Sequence, residues 1–221
     1  MGKLLLIGLL TCMSVGCAFQ PSLDTPLTWY DERWGGVTEQ ELDNSCGLAS
    51  LRTVMHHQFG ADITERALLK RYLETQNEKV IARAMKEGLS LLELEQLAQS
   101  FGYKTRLSMY TYDELKRVTG FMPAVVYLEV GRFKHFAVVR GMSETEVLLA
   151  DSSRGNVRYS REAFLREWRV PKELEGKWEH PGGLVLFSQK DVQTVGILLK
   201  RPSNGVPESF HTLRRSMIRK Q

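Results

Sequence analysis

The chain has 221 residues, 43% of them hydrophobic and 25% charged, which is typical of one ordinary globular domain with a sufficient core. Its formal net charge is +4, but residues 190–221 alone carry +5. The remaining body is near neutral, and this excludes nucleic-acid binding as an expected function.

The N-terminus has the pattern of an export signal over residues 1–18. A minimal positive region at Lys3 is followed by a short apolar core and by small residues around Cys17. Two processing routes stay open: cleavage by a signal peptidase after Ala18, or lipoprotein processing that makes Cys17 the lipidated first residue. The apolar core is too short to span a membrane. We therefore expect a periplasmic protein, either free or lipid-anchored through Cys17.

Residues 19–36 are predicted to form a linker, and residues 37–189 the folded domain. Of the three cysteines, Cys12 lies in the signal and Cys17 is either removed or acylated, so Cys46 is the remaining free thiol. An unpaired cysteine in an oxidising compartment is either reactive, or buried and inert.

A helix is predicted to begin at Cys46, with Asn44 or Ser45 as its cap. Apolar residues then recur at the spacing of one helical face: Leu48, Leu51, Val54 and Met55. A thiol attacks as the thiolate, and a helix N-terminus favours negative charge. Gly47 is expected to leave space beside the sulfur for a substrate backbone. Gln40 is placed to offer its side-chain amide to the oxyanion of a tetrahedral intermediate.

The pattern further along the chain predicts helices followed by strands. Two amphipathic helices are expected, from Ile63 to Leu73 and from Ser90 to Phe101, with Thr64 and Ser90 as caps. The stretch from Thr75 to Gly88 fits a helix or a loop. The later predictions are strands at Tyr103–Met109, Ala124–Val130, His135–Arg140, Glu146–Ala150 and Gly183–Phe187, and helices at Tyr112–Val118 and Ser160–Trp168.

His135 and Asp151 are the predicted partners of Cys46. His135 begins a predicted strand after the turn at Gly131–Lys134, and the next strand ends at Asp151. If these two strands form a hairpin centred on Ser143, the numbers of paired residues sum to 286. His135 then faces Asp151 across the strands, with Cβ atoms about 5 Å apart. A carboxylate in that position holds the imidazole tautomer and supports its charged form. A slip of one or two residues would change the pairing. A lone strand histidine is more often a core residue, but the coincidence of Cys, His and Asp favours catalysis.

Other histidines and the glycine pairs have simpler explanations. His56 and His57 lie about 15 Å along the helix from Cys46 and are too far to act as its base. His180 lies in a loop, and no His/Cys cluster has the spacing of a zinc site, so we expect no metal and no cofactor. The pairs Gly35-Gly36 and Gly182-Gly183 are predicted to be turns.

The segment from Gln40 to Leu51 resembles the nucleophile motif of the bacteriocin-processing, double-glycine leader peptidases, which are papain-like cysteine peptidases. The segment from His135 to Val139 is similar to that family's histidine strand, and Asp151 stands where its aspartate would. The resemblance covers Val37 to Ser188. It implies an α+β fold in which a helical part with the nucleophile helix packs on an antiparallel sheet. It also implies cleavage after a Gly-Gly pair in a leader, with Gln40 assisting the oxyanion.

The chain departs from that family at two positions: Ser152 follows Asp151 where proline is frequent, and Ser50 stands where a second cysteine is common. It has no phosphate-binding loop and, after the N-terminus, no apolar stretch of about 20 residues. It therefore resembles the standalone members that are exported to the periplasm, including those that serve functional-amyloid secretion systems. The implied substrate is an exported peptide or a fibre subunit.

Two other functions stay open at this point. The cleft is suited to a binding module that holds a secretion substrate without cutting it, although such a module needs none of the four site residues. The same triad also supports amidase or transglutaminase-like acyl transfer. Residues 190–221 are predicted to be a basic extension, either solvated or lying on a membrane surface or a secretion partner.

Overall fold

The computed structural model describes residues 28–131, 133–171 and 174–187. The predicted signal at 1–18 and the basic extension at 190–221 lie outside the described residues, as does the first half of the predicted linker, residues 19–27. What the sequence predicts for the signal and the extension stays a prediction.

Within the described ranges the chain forms seven helices and six strands. The helices are α1 (Trp29–Trp34), α2 (Cys46–Phe59), α3 (Glu65–Thr75), α4 (Glu78–Glu87), α5 (Leu91–Ser100), α6 (Tyr112–Thr119) and α7 (Arg161–Glu167). The strands are β1 (Lys104–Met109), β2 (Ala124–Val130), β3 (Phe133–Met142), β4 (Glu146–Asp151), β5 (Gly155–Ser160) and β6 (Gly182–Phe187). None of the described helices is long and apolar enough to cross a membrane.

The six strands form one sheet in the order β1-β6-β2-β3-β4-β5, and each neighbouring pair is antiparallel. Alternate side chains of β2 and β3 enter different cores. Val125, Tyr127 and Phe136 pack with α2, α3 and α5, whereas Val126 and Ala137 pack with α6 and α7. Burial on both faces explains why the two central strands read as continuous apolar runs. The fold is α+β, as predicted.

Most helices begin where the sequence places a capping side chain. The hydroxyls of Thr64 and Ser90 accept hydrogen bonds from backbone N–H groups of α3 and α5. Asn77 caps α4 in the same way, so the stretch that fitted either a helix or a loop contains a helix. Strand β3 begins at Phe133, two residues before the predicted start.

Two elements were not predicted. Helix α1 lies in the segment expected to be a linker, and β5 forms the edge of the sheet beside it. The two are joined through the carbonyl of Gly35, which accepts from Arg140 Nη1 at 3.0 Å and from Asn156 Nδ2 at 2.9 Å. At Gly155 a Cβ atom would lie 2.4 Å from the carbonyl oxygen of Arg33, so only glycine allows this close approach.

The predicted hairpin register was wrong. Val138 pairs with Ala150 and Val139 with Leu149, so the paired numbers sum to 288 near the site. A bulge then shifts the register before Gly141, because the strand carries one extra residue there. His135 therefore lies diagonally across from Asp151 and not directly opposite. Since the shift is two residues, the two side chains still share one face of the sheet.

The glycine pair at residues 182 and 183 is also not a turn. Both residues begin β6, where a Cβ at Gly182 would lie 2.5 Å from the ring of Trp178, and one at Gly183 would lie 3.2 Å from Tyr110. These glycines let two aromatic rings pack directly on the backbone. Gly35 and Gly36 do end α1, and Gly36 has a positive φ of 73°.

Candidate active site

Cys46 is the first residue of α2, and its side chain is partly exposed. Ser45 occupies the N-cap position, but its hydroxyl does not cap the helix; it donates to the carbonyl of Leu42 at 2.5 Å. Asn44 has a positive φ of 56°, a conformation that asparagine tolerates better than most residues. The sulfur therefore lies in the first helical turn, where the helix dipole favours negative charge.

Gly47 has a different role from the one predicted. It is buried, and a Cβ atom there would lie 3.1 Å from Leu94 of α5 and 3.3 Å from Phe136 of β3. The absence of a side chain lets the start of α2 pack tightly between α5 and the sheet. Gly47 thus fixes the nucleophile helix in place and does not open space for a substrate.

His135 joins the other two predicted members of the triad. Its Nε2 atom lies 3.0 Å from Asp151 Oδ2, and its ring is close enough to the side chain of Cys46 for that side chain to raise its pKa. Asp151 is fully buried and His135 is largely buried, so water does not screen the interaction between them. The structure thereby brings a thiol, an imidazole and a carboxylate into one connected chain.

Asp151 has a further partner that sequence reasoning missed. Its Oδ1 accepts from the backbone N–H groups of Ser153 at 2.8 Å and Arg154 at 3.1 Å. The guanidinium of Arg154 lies against Oδ2, with Nε at 2.8 Å and Nη2 at 2.6 Å. The signal for this contact is local: an arginine three residues after an aspartate in a turn can fold back onto the carboxylate.

These contacts set the charge states of the pair. Burial lowers the pKa of His135, but the hydrogen bonds and charges of Asp151 and Cys46 outweigh it and raise that pKa to about 9. Burial raises the pKa of Asp151, but His135, the Ser153 N–H and Arg154 lower it to about 2. At neutral pH the site therefore holds an imidazolium beside a carboxylate.

Gln40 lies in the loop that leads to α2, and it is bound to the residues that follow Asp151. Its backbone N–H donates to the Ser152 carbonyl at 3.0 Å. Its Oε1 accepts from the hydroxyls of Ser152 at 3.2 Å and Ser153 at 2.9 Å, and its Nε2 donates to the Leu42 carbonyl at 3.4 Å. The loop before the nucleophile and the turn after the carboxylate are thus joined.

A groove of about 300 Å³ is lined by residues that neighbour the site along the chain, although none of the four site residues lines it. Phe136, directly after His135, lines it, and so does Gly88, which approaches the carbonyl of Asn44. The remaining lining is mainly apolar and includes Leu89, Leu91, Leu107, Tyr127, Pro171, Leu174 and Trp178, with the charged Arg83, Glu87 and Lys134 also present.

The other histidines lie elsewhere. His56 and His57 are exposed near the C-terminal end of α2, where His56 Nδ1 lies 3.0 Å from the Ala61 carbonyl oxygen, and His180 is exposed in the loop before β6. Among the residues that the structure describes, no group of three or more His, Cys, Asp or Glu side chains is placed to hold a metal ion.

The sequence profile of the Peptidase C39 family matches residues 36–171. Two curated relatives are each named probable functional amyloid protease FapD. That of Pseudomonas fluorescens is 30% identical over 138 residues, and that of Pseudomonas aeruginosa is 27% identical over 138 residues. Both matches cover 62% of this chain and 59% of the relative, so the chain matches less than two thirds of either relative's length.

A solved structure shares the fold. The peptidase domain of Streptococcus ComA, a bifunctional ABC transporter involved in a quorum-sensing pathway, matches with a TM-score of 0.53 at 21% sequence identity. The match covers 69% of this chain and 98% of that domain. With the profile match over more than half of its length, the chain belongs to the peptidase C39 family of cysteine peptidases and has the papain-like α+β fold.

Proposed function

We propose that the chain is a cysteine endopeptidase that cleaves an exported peptide or protein after a Gly-Gly type leader motif. The observation that carries the proposal is the position of His135, whose ring contacts the thiol of Cys46 on one side and the buried carboxylate of Asp151 on the other. An inert structural cysteine would need neither partner.

The geometry supports a two-step acyl transfer. The sulfur of Cys46 attacks the scissile carbonyl, and the imidazolium of His135 gives its proton to the leaving amine. Water then attacks the thioester with His135 as general base, and the acid product and the free thiol are released. Because the pKa of His135 is raised to about 9, the ring is protonated at neutral pH and stabilises negative charge on the sulfur.

Gln40 is the proposed side-chain donor to the oxyanion of the tetrahedral intermediate. Its Nε2 makes only a long contact of 3.4 Å, to Leu42 O, and that same carbonyl accepts from Ser45, the residue before the nucleophile. The amide therefore lies near the N-terminus of α2. Donors preorganised at that position are worth about 10²- to 10³-fold in rate.

The groove beside Phe136 suggests where the substrate binds. We place the residues that precede the scissile bond in it, because its lining is mainly apolar and includes Lys134 and Phe136, the two residues that flank His135. Two relatives named functional amyloid proteases support a fibre subunit or another component of an amyloid secretion system as the substrate. The signal-like N-terminus supports a periplasmic location, with a lipid anchor if Cys17 is acylated.

The first test is the rate of alkylation of Cys46 by iodoacetamide between pH 4 and 10. We expect fast alkylation to persist at pH 6, where an ordinary thiol reacts slowly, and to be lost in His135→Ala. His180→Ala, an exposed histidine outside the site, serves as the matched control. A slow reaction that is the same in the wild type and both variants would contradict a Cys-His pair and would favour the non-cleaving binding module.

Substrate preference is tested separately, with peptides that carry two glycines before the scissile bond and apolar residues upstream. We expect cleavage after the second glycine, detected by mass spectrometry, and loss of cleavage when either glycine is replaced by alanine. Cleavage at unrelated sites would contradict the Gly-Gly assignment while leaving the peptidase chemistry in place.

A further inference from the structure

The turn at residues 151–154 holds two parts of the site at once. Asp151 begins it and contacts His135, while the backbone N–H groups of Ser153 and Arg154 bind the Asp151 carboxylate. The two serine hydroxyls of the same turn point to a different residue, Gln40, and donate to its side-chain oxygen at 3.2 and 2.9 Å.

The hydroxyls of Ser152 and Ser153 hold the amide of Gln40 in the orientation that its other partner, the carbonyl of Leu42, selects. A glutamine amide has a donor end and an acceptor end of nearly the same shape, and its orientation follows from its partners. The carbonyl of Leu42 can only accept, so it selects the NH₂ end at 3.4 Å. With Oε1 occupied by Ser152 and Ser153, the second N–H of the amide is left for an oxyanion.

The backbone of Gln40 does not depend on the two hydroxyls. Its N–H donates to the carbonyl of Ser152 at 3.0 Å, and the next N–H, of Glu41, donates to the fully buried carboxylate of Glu65 at 3.1 Å. Removing the hydroxyls therefore leaves the loop anchored and frees only the end of the Gln40 side chain.

We propose that Ser152 and Ser153 are positioning residues that orient the Gln40 amide toward the oxyanion through their hydroxyls. The inference rests on the proposed function, since it assigns no new chemistry but fixes one donor of that reaction. The two sites differ in exposure: Ser152 is buried and Ser153 is exposed. Water can replace the Ser153 hydroxyl in part but cannot replace that of Ser152, so the loss is larger at Ser152.

The experiment compares two reactions of Cys46 at one pH. Acylation by p-nitrophenyl acetate forms a bond from sulfur to the carbonyl carbon, passes through an oxyanion and releases p-nitrophenolate as the thioester forms. Alkylation by iodoacetamide displaces iodide from a saturated carbon and forms no oxyanion. The ratio of the acylation rate to the alkylation rate therefore isolates the oxyanion donor from the thiol and its base.

We expect Gln40→Ala to lower this ratio by about 100-fold and Ser152→Ala/Ser153→Ala by about 10-fold. The matched control Ser100→Ala, whose hydroxyl bonds only the Leu97 carbonyl outside the site, leaves the ratio unchanged. An unchanged ratio in the double variant, with the ratio lowered in Gln40→Ala, would overturn the inference. An equal fall of the acylation rate and the alkylation rate in the double variant would also overturn it, because the hydroxyls would then act through Asp151.

If the double variant does not fold, the test uses substitutions at the exposed Ser153 alone. Ser153→Ala is expected to lower the ratio about threefold, and Ser153→Thr, which keeps a hydroxyl, to restore it. No difference between these two variants overturns the inference. A wild-type chain that p-nitrophenyl acetate does not acylate, or a Gln40→Ala variant with the wild-type ratio, contradicts the proposed function itself and with it the inference.

Discussion

Asp151 shows how a single buried carboxylate is kept charged. One of its oxygens accepts two backbone N–H groups, and the other lies against both the guanidinium of Arg154 and the imidazole of His135. A fully buried charge is tolerated when its lone pairs are occupied in this way. The sequence predicts Asp151 as the partner of His135, but the contact from Arg154 depends on the fold of the turn.

At this scale we predict the outcome of Asp151→Asn. Because the amide carries no charge, the imidazolium of His135 loses its main stabilising partner, and Arg154 is left facing a neutral group. With burial no longer opposed by Asp151, the ring of His135 becomes neutral and no longer stabilises negative charge on the sulfur, so alkylation of Cys46 at pH 6 should fall at least about tenfold.

The exposed Asp62→Asn variant is the control for this substitution and should keep the wild-type rate. An alkylation rate for Asp151→Asn equal to that of the wild type would show that the carboxylate does not support the charged ring.

Helices and strands were predictable where the signal is local. Thr64 and Ser90 mark the starts of α3 and α5, and the apolar runs of β2 and β6 mark buried strands. Helix α1 has only six residues and none of them is buried, so it has no apolar periodicity to detect. Strand β5 reads as polar because it lies at the sheet edge, and the bulge before Gly141 has no sequence signature.

Helix α1 provides a prediction at the scale of elements. In Gly155→Ala the new Cβ would lie 2.4 Å from the carbonyl oxygen of Arg33, a backbone atom that cannot move without displacing α1 from β5. The φ of Gly155 is also positive, at 82°. We expect a loss of about 3 kcal/mol in the free energy of unfolding, measured with urea.

Gly102→Ala separates the two causes, since Gly102 has a φ of 85° but no atom within 4 Å of the added Cβ. Gly102→Ala should lower the free energy of unfolding by only about 1 kcal/mol, which is the cost of placing alanine at a positive φ. Equal losses in the two variants would mean that the contact of α1 with β5 contributes nothing to stability.

The whole molecule places its active site where a helical layer meets a sheet. Cys46 comes from α2, His135 from β3 and Asp151 from the end of β4, and Gly47 lets the two layers approach through Leu94 and Phe136. The sequence predicts both the motif around Cys46 and the strand around His135. The sequence also predicts that His135 meets Asp151, but not that the contact is diagonal, because this depends on the register that the bulge sets.

Global stability should depend on pH through this pair. The pKa of His135 is raised on folding from 6.5 to about 9, so its contribution is complete below pH 6.5 and is lost as the pH rises through 9. The pKa of Asp151 is lowered from 3.8 to about 2, so its contribution is present above pH 3.8 and is lost as the pH falls through 2. Together they stabilise the fold most between about pH 4 and 6.5.

We therefore expect the wild type to have a larger free energy of unfolding than His135→Gln, and this difference to depend on pH. The difference should be greater at pH 5.5 than at pH 9.5 by on the order of 2 kcal/mol. Losses of packing in the variant are the same at both pH values and cancel in this comparison. Urea unfolding at the two pH values measures the difference, and parallel stability curves for the two proteins would contradict it.

The position of β6 also bears on when the sheet is completed. This strand follows every other described strand along the chain, yet it lies between β1 and β2 in the sheet. Strand β1, against which α5 packs, therefore cannot be joined to β2 and the other strands of the sheet until Gly182–Phe187 has been made. Pairing of such distant segments is slow. A chain that emerges N-terminus first therefore completes its sheet only after Cys46, His135 and Asp151 have all been made.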